Sequence, residues 1–379
     1  MKPLRKIVVA ADSFKGSLSS VEVAGSVASA IREVLPGCEV VEVPVADGGE
    51  GTVDALVAAM NGSIVSCTVH DPLMRPVIAD YGILGDGQTA VMEMASASGL
   101  TLLSSSERNP MITTTFGTGE LIKDALGRGC TKFLIGIGGS ATNDAGTGML
   151  QALGYRFLNR EDEELAAVGA TLKDIDKIDS TNVLPQVKNA HFIVACDVNN
   201  PFSGEHGAAC VFAPQKGADA EMVRALDAGM KHFSDIIKEQ TGENVDQTPG
   251  AGAAGGMGGA FLAFLDAELK SGVRMILDAL NFEQVVCGAD LIITGEGKLD
   301  RQTMMGKTPA GVLDVARRQG IPVIAIGGSV EDVDLLNDYG FQAVFPLLPA
   351  PVSLEKAMEK EYVTGNIRRT IMQIMRLYL

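Results

Sequence analysis

Apolar residues fall into short unbroken runs near both ends of the chain and into a different rhythm in between. Ile7 to Ala11 is a continuous apolar run, the pattern of a strand buried on both faces of a parallel sheet. The polar loop DSFKGS follows, and then Ser19 and Glu22 stand at the spacing of a capping box. The helix they open carries Val23, Val27, Ile31 and Val34 on one side, and Pro36 and Gly37 end it. Val40 to Val45 predicts a second strand, followed by ADGGEG and a helix from about Thr52 to Met60. This is strand, loop, helix twice over, with a polar, glycine-bearing loop each time.

Residues 63–94 break that rhythm. They predict three short strands with turns at Asp71–Pro72 and Gly85–Asp86–Gly87; in the second, Val77, Ala79, Tyr81 and Ile83 alternate with other residues, as in a meander. A strand from Phe133 to Ile137 leads into GGSATNDAGTG, residues 159–190 are charged and loop-like, and Phe192 to Cys196 is another strand. The stretch GAGAAGGMGGA at 250–260 precedes a helix. From about residue 289 the strand–helix alternation returns. The strand Leu291–Thr294 runs into GEGKLD, a helix covers about Pro309 to Gln319, and strands follow at Val323–Ile326 and Ala343–Phe345. A final helix has Ile367, Ile371, Ile374 and Leu377 on one face. The pattern predicts an α/β protein of two domains. Residues 1–70 and 282–379 form a parallel-sheet domain made from both chain ends, and residues 71–281 form an inserted mixed-sheet α/β domain.

Length and composition agree with two domains: 379 residues, 46% hydrophobic and 21% charged. A formal net charge of −16 repels nucleic acid and anionic membranes, so neither is expected as a partner. Local lysines and helix N-termini can still reverse the field within a site. Six cysteines without a CxxC read as buried reduced thiols, and four scattered histidines argue against a histidine metal site. The opening MKPLRKIVVAADSFKGS reads as a first strand rather than a signal peptide, and no window approaches 18 uncharged apolar residues. The expectation is a cytoplasmic protein; a homo-oligomer stays open.

In open α/β sheets, ligands sit beyond the carboxyl ends of the strands. There the sequence places DSFKGS, DGGEGT and TGEGKLD, each combining acids with glycine and two adding a lysine. Lysine neutralises phosphate oxygens, carboxylates hold a divalent cation, and glycine amides point at phosphates. Lys15 is read as a phosphate or carboxylate contact. Asp47 and Glu50 are read as binding substrate hydroxyls or a metal, with compensation of a helix dipole as the plainer alternative. In ACDVNNPF, Asp197 closes a strand, where it can accept a proton from an attacking hydroxyl or simply cap the turn. Lys216, in FAPQKGA, is an anion contact or a surface-loop residue.

Three nucleotide signatures fit poorly. GKT at 306–308 lacks the P-loop's leading glycine, since Arg301 stands there. GIGGSA at 136–141 matches GxGxxA after a strand, with Glu161 twenty residues beyond Ala141, but no clear second strand ends in that acid. GAGAAG at 250–255 follows Thr248–Pro249 instead of a strand and is read as a flexible anion-binding loop or a hinge.

Taken together and in order, DSFKGS, VADGGEGT, TTTFGTGE, GIGGSATNDAGTGMLQALG, ACDVNNP, FAPQKGA, GAGAAGGMG and ITGEGKLDRQT resemble the bacterial glycerate kinase family over nearly the whole chain. The resemblance implies ATP and Mg²⁺ dependence and D-glycerate as acceptor, with 2-phosphoglycerate as the product. It also implies a flavodoxin-like (Rossmann-like) domain, an inserted domain and a cleft between them. The resemblance assigns no residue roles; from their positions in the loops, Lys15 and Ser17 are expected to contact phosphate or the glycerate carboxylate, with Lys15 and Asp197 the catalytic candidates. Asp47, Glu50 and Asp197 are expected near the acceptor hydroxyl, with Asp197 the preferred base and Lys216 a further substrate contact. Glu296 and Asp300 are the candidate Mg²⁺ ligands. Gly138, Gly139, Ser140 and Asn143, at a helix N-terminus, and Gly295 and Gly297 are expected to cradle ATP phosphates.

Overall fold

The computed structural model describes residues 4–379. Their contacts divide them into two compact units: residues 4–47, 54–61 and 272–379, and residues 48–53 and 62–271. The seams therefore fall at 61/62 and 271/272 rather than at 70/71 and 281/282. The reason is visible in the pairing: residues 63–70 form a strand matched over its whole length to 76–83, which ties it to the second unit.

Thirteen strands are present among the described residues. They are β1 (Lys6–Ala11), β2 (Glu39–Glu42), β3 (Ser63–His70), β4 (Pro76–Ile83), β5 (Thr89–Glu93), β6 (Lys132–Gly136) and β7 (Arg156–Leu158), then β8 (Lys177–Asp179), β9 (His191–Ala195), β10 (Glu268–Lys270), β11 (Leu291–Leu299), β12 (Val323–Val330) and β13 (Ala343–Pro346).

The first unit is built on a parallel sheet in the order β13-β12-β11-β1-β2. Numbered within the unit this is the flavodoxin order. Its central strands are buried on both faces, as their unbroken apolar runs require. The helix Ser20–Val34 opens with the predicted capping box, Glu22 N–H donating to Ser19 Oγ and Ser19 N–H to Glu22 Oε2. It packs with the helix Lys360–Arg376 over Ile7, Val9, Leu291 and Ile293. The helices Gly272–Ala279 and Thr308–Arg318 pack against each other outside that layer. Leu377 departs from the expected face of the last helix: it lies just past its end, 63% exposed.

β11 and β12 are longer than their apolar cores suggest. β11 runs on through Gly295–Leu299, pairing Glu296 with Gly327 and Lys298 with Ser329. Glycine permits this extension. A Cβ at Gly295 would stand 2.4 Å from Ile326 O, and one at Gly328 would stand 2.6 Å from Gly297 O. GEGKLD, expected as a loop, is therefore mostly strand.

The second unit holds a six-stranded mixed sheet, β10-β9-β6-β5-β4-β3, with β3, β4 and β5 antiparallel and β5, β6, β9 and β10 parallel. β7 and β8 form a separate antiparallel pair. One continuous core runs beneath the sheet, with Phe133 and Phe192 stacked at 4.8 Å within it. GAGAAGGMGGA is almost wholly buried, so it is no flexible anion loop. Its glycines let backbones meet: a Cβ at Gly255 would lie 2.1 Å from Thr142 O, and one at Gly252 would lie 2.1 Å from Pro201 O.

Candidate functional site

In the first unit the strand order reverses between β1 and β11, the point at which doubly wound sheets bind ligands. A cavity of about 390 Å³ opens there. Its polar end is lined by Asp12, Lys15, Ser17, Asp47, Glu296, Gly297, Lys298 and Lys307. Of the residues singled out in the sequence, Lys15, Ser17, Asp47, Glu296 and Gly297 thus line one cavity.

Asp12 terminates β1 and is almost buried. Its Oδ1 accepts from Ser13 N–H at 2.6 Å and its Oδ2 from Thr308 Oγ1 at 2.8 Å. Burial, reinforced by the nearby Asp47 charge, pushes its carboxyl up to about 6 against those two hydrogen bonds. Glu296 is 8% exposed; Thr303 Oγ1 donates to its Oε1 at 2.6 Å, and Lys307 Nζ lies 3.5 Å from its Oε2. Burial raises Glu296 as well, Asp12 adds to the rise, and Thr303 and Lys307 oppose it. Lys15 Nζ sits 3.6 Å from Asp47 Oδ2. The site is thus a set of crowded, partly desolvated carboxylates with lysines around them.

Asp300 serves otherwise. Its carboxylate accepts from Gln302 N–H at 2.8 Å, capping a short helical turn, and pairs with Lys298 at 3.4 Å. Burial works against the charge, but those partners hold it below the usual range. Among the described residues no group of three or more His, Cys, Asp or Glu could alone hold a metal ion. A magnesium ion shared with phosphates needs only one or two carboxylates. Asp12 and Glu296 fit that demand: burial destabilises both as anions, with Asp47 adding to the effect at Asp12 and Asp12 adding to it at Glu296.

Asp12, Lys307 and Thr308 carry no distinguishing signal of their own in the sequence. The last two belong to the GKT rejected as a P-loop. That rejection stands, since the preceding segment is a short turn from Arg301 to Met304 and no strand. Yet Lys307 and Thr308 open the helix Thr308–Arg318 and face Glu296 and Asp12.

One outcome follows from the raised carboxyl. The native state binds a proton at Asp12 more tightly than the unfolded chain does. Stability is therefore greatest below about pH 4 as far as this group is concerned, and it falls as pH rises toward about 6. In metal-free buffer Asp12→Asn should flatten that fall and stabilise the first unit at pH 7. Urea unfolding across this range, followed by hydrogen exchange of the β1 amides, checks it; an unchanged pH slope in the variant contradicts the assignment.

In the second unit β6 leads into GGSATNDAGTG. The helix after it does not begin until Thr147, so Gly138, Gly139, Ser140 and Asn143 stand ahead of its N-terminus and not at it. Gly138 and Gly139 are exposed, Gly139 in the left-handed region. Ser140 and Asn143 are enclosed, and Asn143 Nδ2 faces Met230 Sδ at 3.1 Å. Asn143 is therefore part of the core and not an open phosphate contact. Lys216 is 1% exposed, neither a surface-loop residue nor an open anion contact. Its Nζ donates to Ser140 Oγ and to Thr142 O, each at 2.6 Å. Burial pushes it down to about 7, with Asp144 opposing. Asp144, fully enclosed, accepts from the N–H groups of Thr115, Gly146 and Gly148 and from Thr115 Oγ1. These two buried charges fix the backbone between β6 and the helix at Thr147.

Asp197 follows β9 and is exposed, and Glu50 is exposed in the turn before the helix Thr52–Ala59. Glu161 sits in an exposed turn, and β7, the strand after GIGGSA, belongs to the separate two-stranded sheet. GIGGSA is thus no dinucleotide fingerprint. No helix among the described residues is long and apolar enough to cross a membrane.

A model of the glycerate kinase family matches residues 7–379. The chain is 48% identical over 366 residues to a glycerate kinase of Bacillus subtilis (strain 168), covering 96% of each chain. It is 47% identical over 358 residues to a glycerate 2-kinase of Escherichia coli (strain K12), covering 94% of each. A crystal structure from Salmonella typhimurium LT2, assigned as glycerate kinase 2, superposes with a TM-score of 0.91 at 43% identity, covering 99% of this chain and 98% of that one.

Proposed function

The chain belongs to the glycerate kinase family, and we propose that it transfers the γ-phosphoryl group of ATP to D-glycerate, giving 2-phosphoglycerate in the cytoplasm. The observation that carries the reading is the set of lysines and desolvated carboxylates at the switch point of the parallel sheet. Phosphoryl transfer asks chiefly for alignment and for compensation of charge on the phosphates.

Lys15 and Lys307, which line the cavity with Ser17 and Gly297, would balance charge on phosphate oxygens. Asp12 and Glu296 would hold Mg²⁺, whose contribution when bound is to neutralise charge on the phosphate oxygens. Asp300, committed to its turn, keeps a positioning part by holding Lys298. In the second unit the exposed Gly138–Gly139 backbone is the proposed phosphate or substrate contact. Asp197, at the carboxyl end of β9, is the proposed general base, taking the acceptor hydroxyl's proton as the new O–P bond forms and ADP departs. Glu50 and Asp47 are proposed to meet acceptor hydroxyls. Lys216, by contrast, acts by holding Ser140 and Thr142 in place.

The test is purified protein with ATP, Mg²⁺ and D-glycerate. ADP release is expected, with a product that enolase consumes directly. No ADP release would sink the kinase chemistry, and a product consumed only after phosphoglycerate mutase is added would reject the 2-phosphate.

A further inference from the structure

The switch-point cavity has a second half that the phosphate chemistry does not use. Beyond the lysines its wall becomes apolar: Phe14, Leu347, Leu354, Met358 and Val363 line it. D-Glycerate has no apolar surface to offer such a wall, and neither has a phosphate. Among these side chains stands Asn366.

Asn366 occupies a position meant for a hydrocarbon. In the helix Lys360–Arg376 the buried stripe is Val363, Asn366, Ile367, Ile371 and Ile374, the spacing of a core-facing helix. Asn366 is buried to 1% exposure, yet neither its Nδ2 nor its Oδ1 has a hydrogen-bond partner. A buried amide left unpaired at both ends is costly and calls for an explanation. The Ser17 hydroxyl, on the same cavity, is likewise enclosed without a partner. Two orphaned polar groups line one cavity, one of them in an apolar slot, where the donors and acceptors of a bound molecule would satisfy them.

We propose that the apolar half of this cavity holds the adenine ring of ATP and that Asn366 reads its edge. A flat heteroaromatic base fits between aliphatic walls, and its edge presents a donor and an acceptor side by side, which an amide matches with its own acceptor and donor. The polar end of the same cavity then receives the phosphates at Lys15 and Lys307. The inference rests on ATP being the phosphoryl donor. It adds where the base lies and which side chain selects it.

The experiment compares wild type with Asn366→Ala and Asn366→Leu, using ATP and its 6-desamino analogue, purine riboside triphosphate. Wild type should prefer ATP. Both variants should raise the KM for ATP about tenfold or more, the scale of losing a buried hydrogen-bonded pair. They should leave the KM for D-glycerate unchanged and lose the preference for ATP over the analogue. Ala357→Phe, which narrows the cavity from a half-exposed wall position, should raise the ATP KM as well and serves if the Asn366 variants do not fold. Folded variants with wild-type ATP KM and undiminished preference would overturn the proposal while leaving the kinase reading intact. Calorimetric titration with adenosine separates the two readings from the other side. Adenosine binding that Asn366→Ala abolishes, in a protein that shows no turnover of D-glycerate, would uphold the base site and refute the reaction. Wild type that neither binds adenosine nor turns over refutes both.

Discussion

Asp144→Ala should cost the second unit about 3–5 kcal/mol, the range for leaving buried partners of a charged group unpaired. The aspartate is fully enclosed and receives five hydrogen bonds, from Thr115 N–H and Oγ1, from Gly146 and Gly148 N–H, and a longer one from Thr114 Oγ1 at 3.5 Å. Burial raises its carboxyl, so the ion is not there for its own sake; the convergent donors make it tolerable. Alanine would strand three backbone donors in the core and remove the charge that acts on Lys216. Asp144→Asn should cost less, because one amide oxygen can still accept from the Thr115 and Gly148 side. Hydrogen exchange gives the readout: the amides of Thr115, Gly146 and Gly148 should lose protection far more in the alanine variant than in the asparagine variant. Equal protection in wild type and Asp144→Ala would show that the carboxylate is dispensable to this loop.

The second large effect is on catalysis. Asp197→Asn should lower kcat by about two orders of magnitude or more, the scale of a lost general base, with the KM for ATP little changed. The substitution keeps shape and removes the ability to take a proton. The acidic limb of the pH–rate profile, which reports the base in the bound complex, should disappear along with the rate. A kcat within a few-fold of wild type removes Asp197 from the chemistry and returns it to the role of a residue closing β9.

Fold and site were legible to different depths. Where a signal is local it survived folding unchanged: the capping box at Ser19 and Glu22, and the apolar run of β1. The meander of residues 63–94 was also readable by alternation, although its first strand joins the second unit. The continuation of β11 through GEGKL was not, because glycine suggests a turn until a neighbouring strand is seen to press against it. Burial misled most. Lys216 and Asn143 sit among turn residues in the sequence, and only long-range packing against the 140–146 loop and Met230 encloses them. Asp12 escaped notice for the converse reason: its importance comes from Thr308 and Glu296, nearly three hundred residues away in sequence. Asn366 carried a readable signal, a polar residue within an apolar stripe, whose meaning depended on finding its amide unpaired.

The pairing of Ile7 with Leu291 and of the helix Ser20–Val34 with Lys360–Arg376 sets an order for assembly. During synthesis β1 has only β2 beside it at the outset, and β11 arrives after the second unit's strands have been made. The second unit has its sheet partners within its own span, so it can close while the first still waits. Completion of the switch point, and with it of the cavity that Asn366 lines, is then among the last events of folding. A ribosome that stops short of the final helix would release a chain with one finished unit and an N-terminal helix whose apolar face is bare. Such a product invites aggregation or proteolysis.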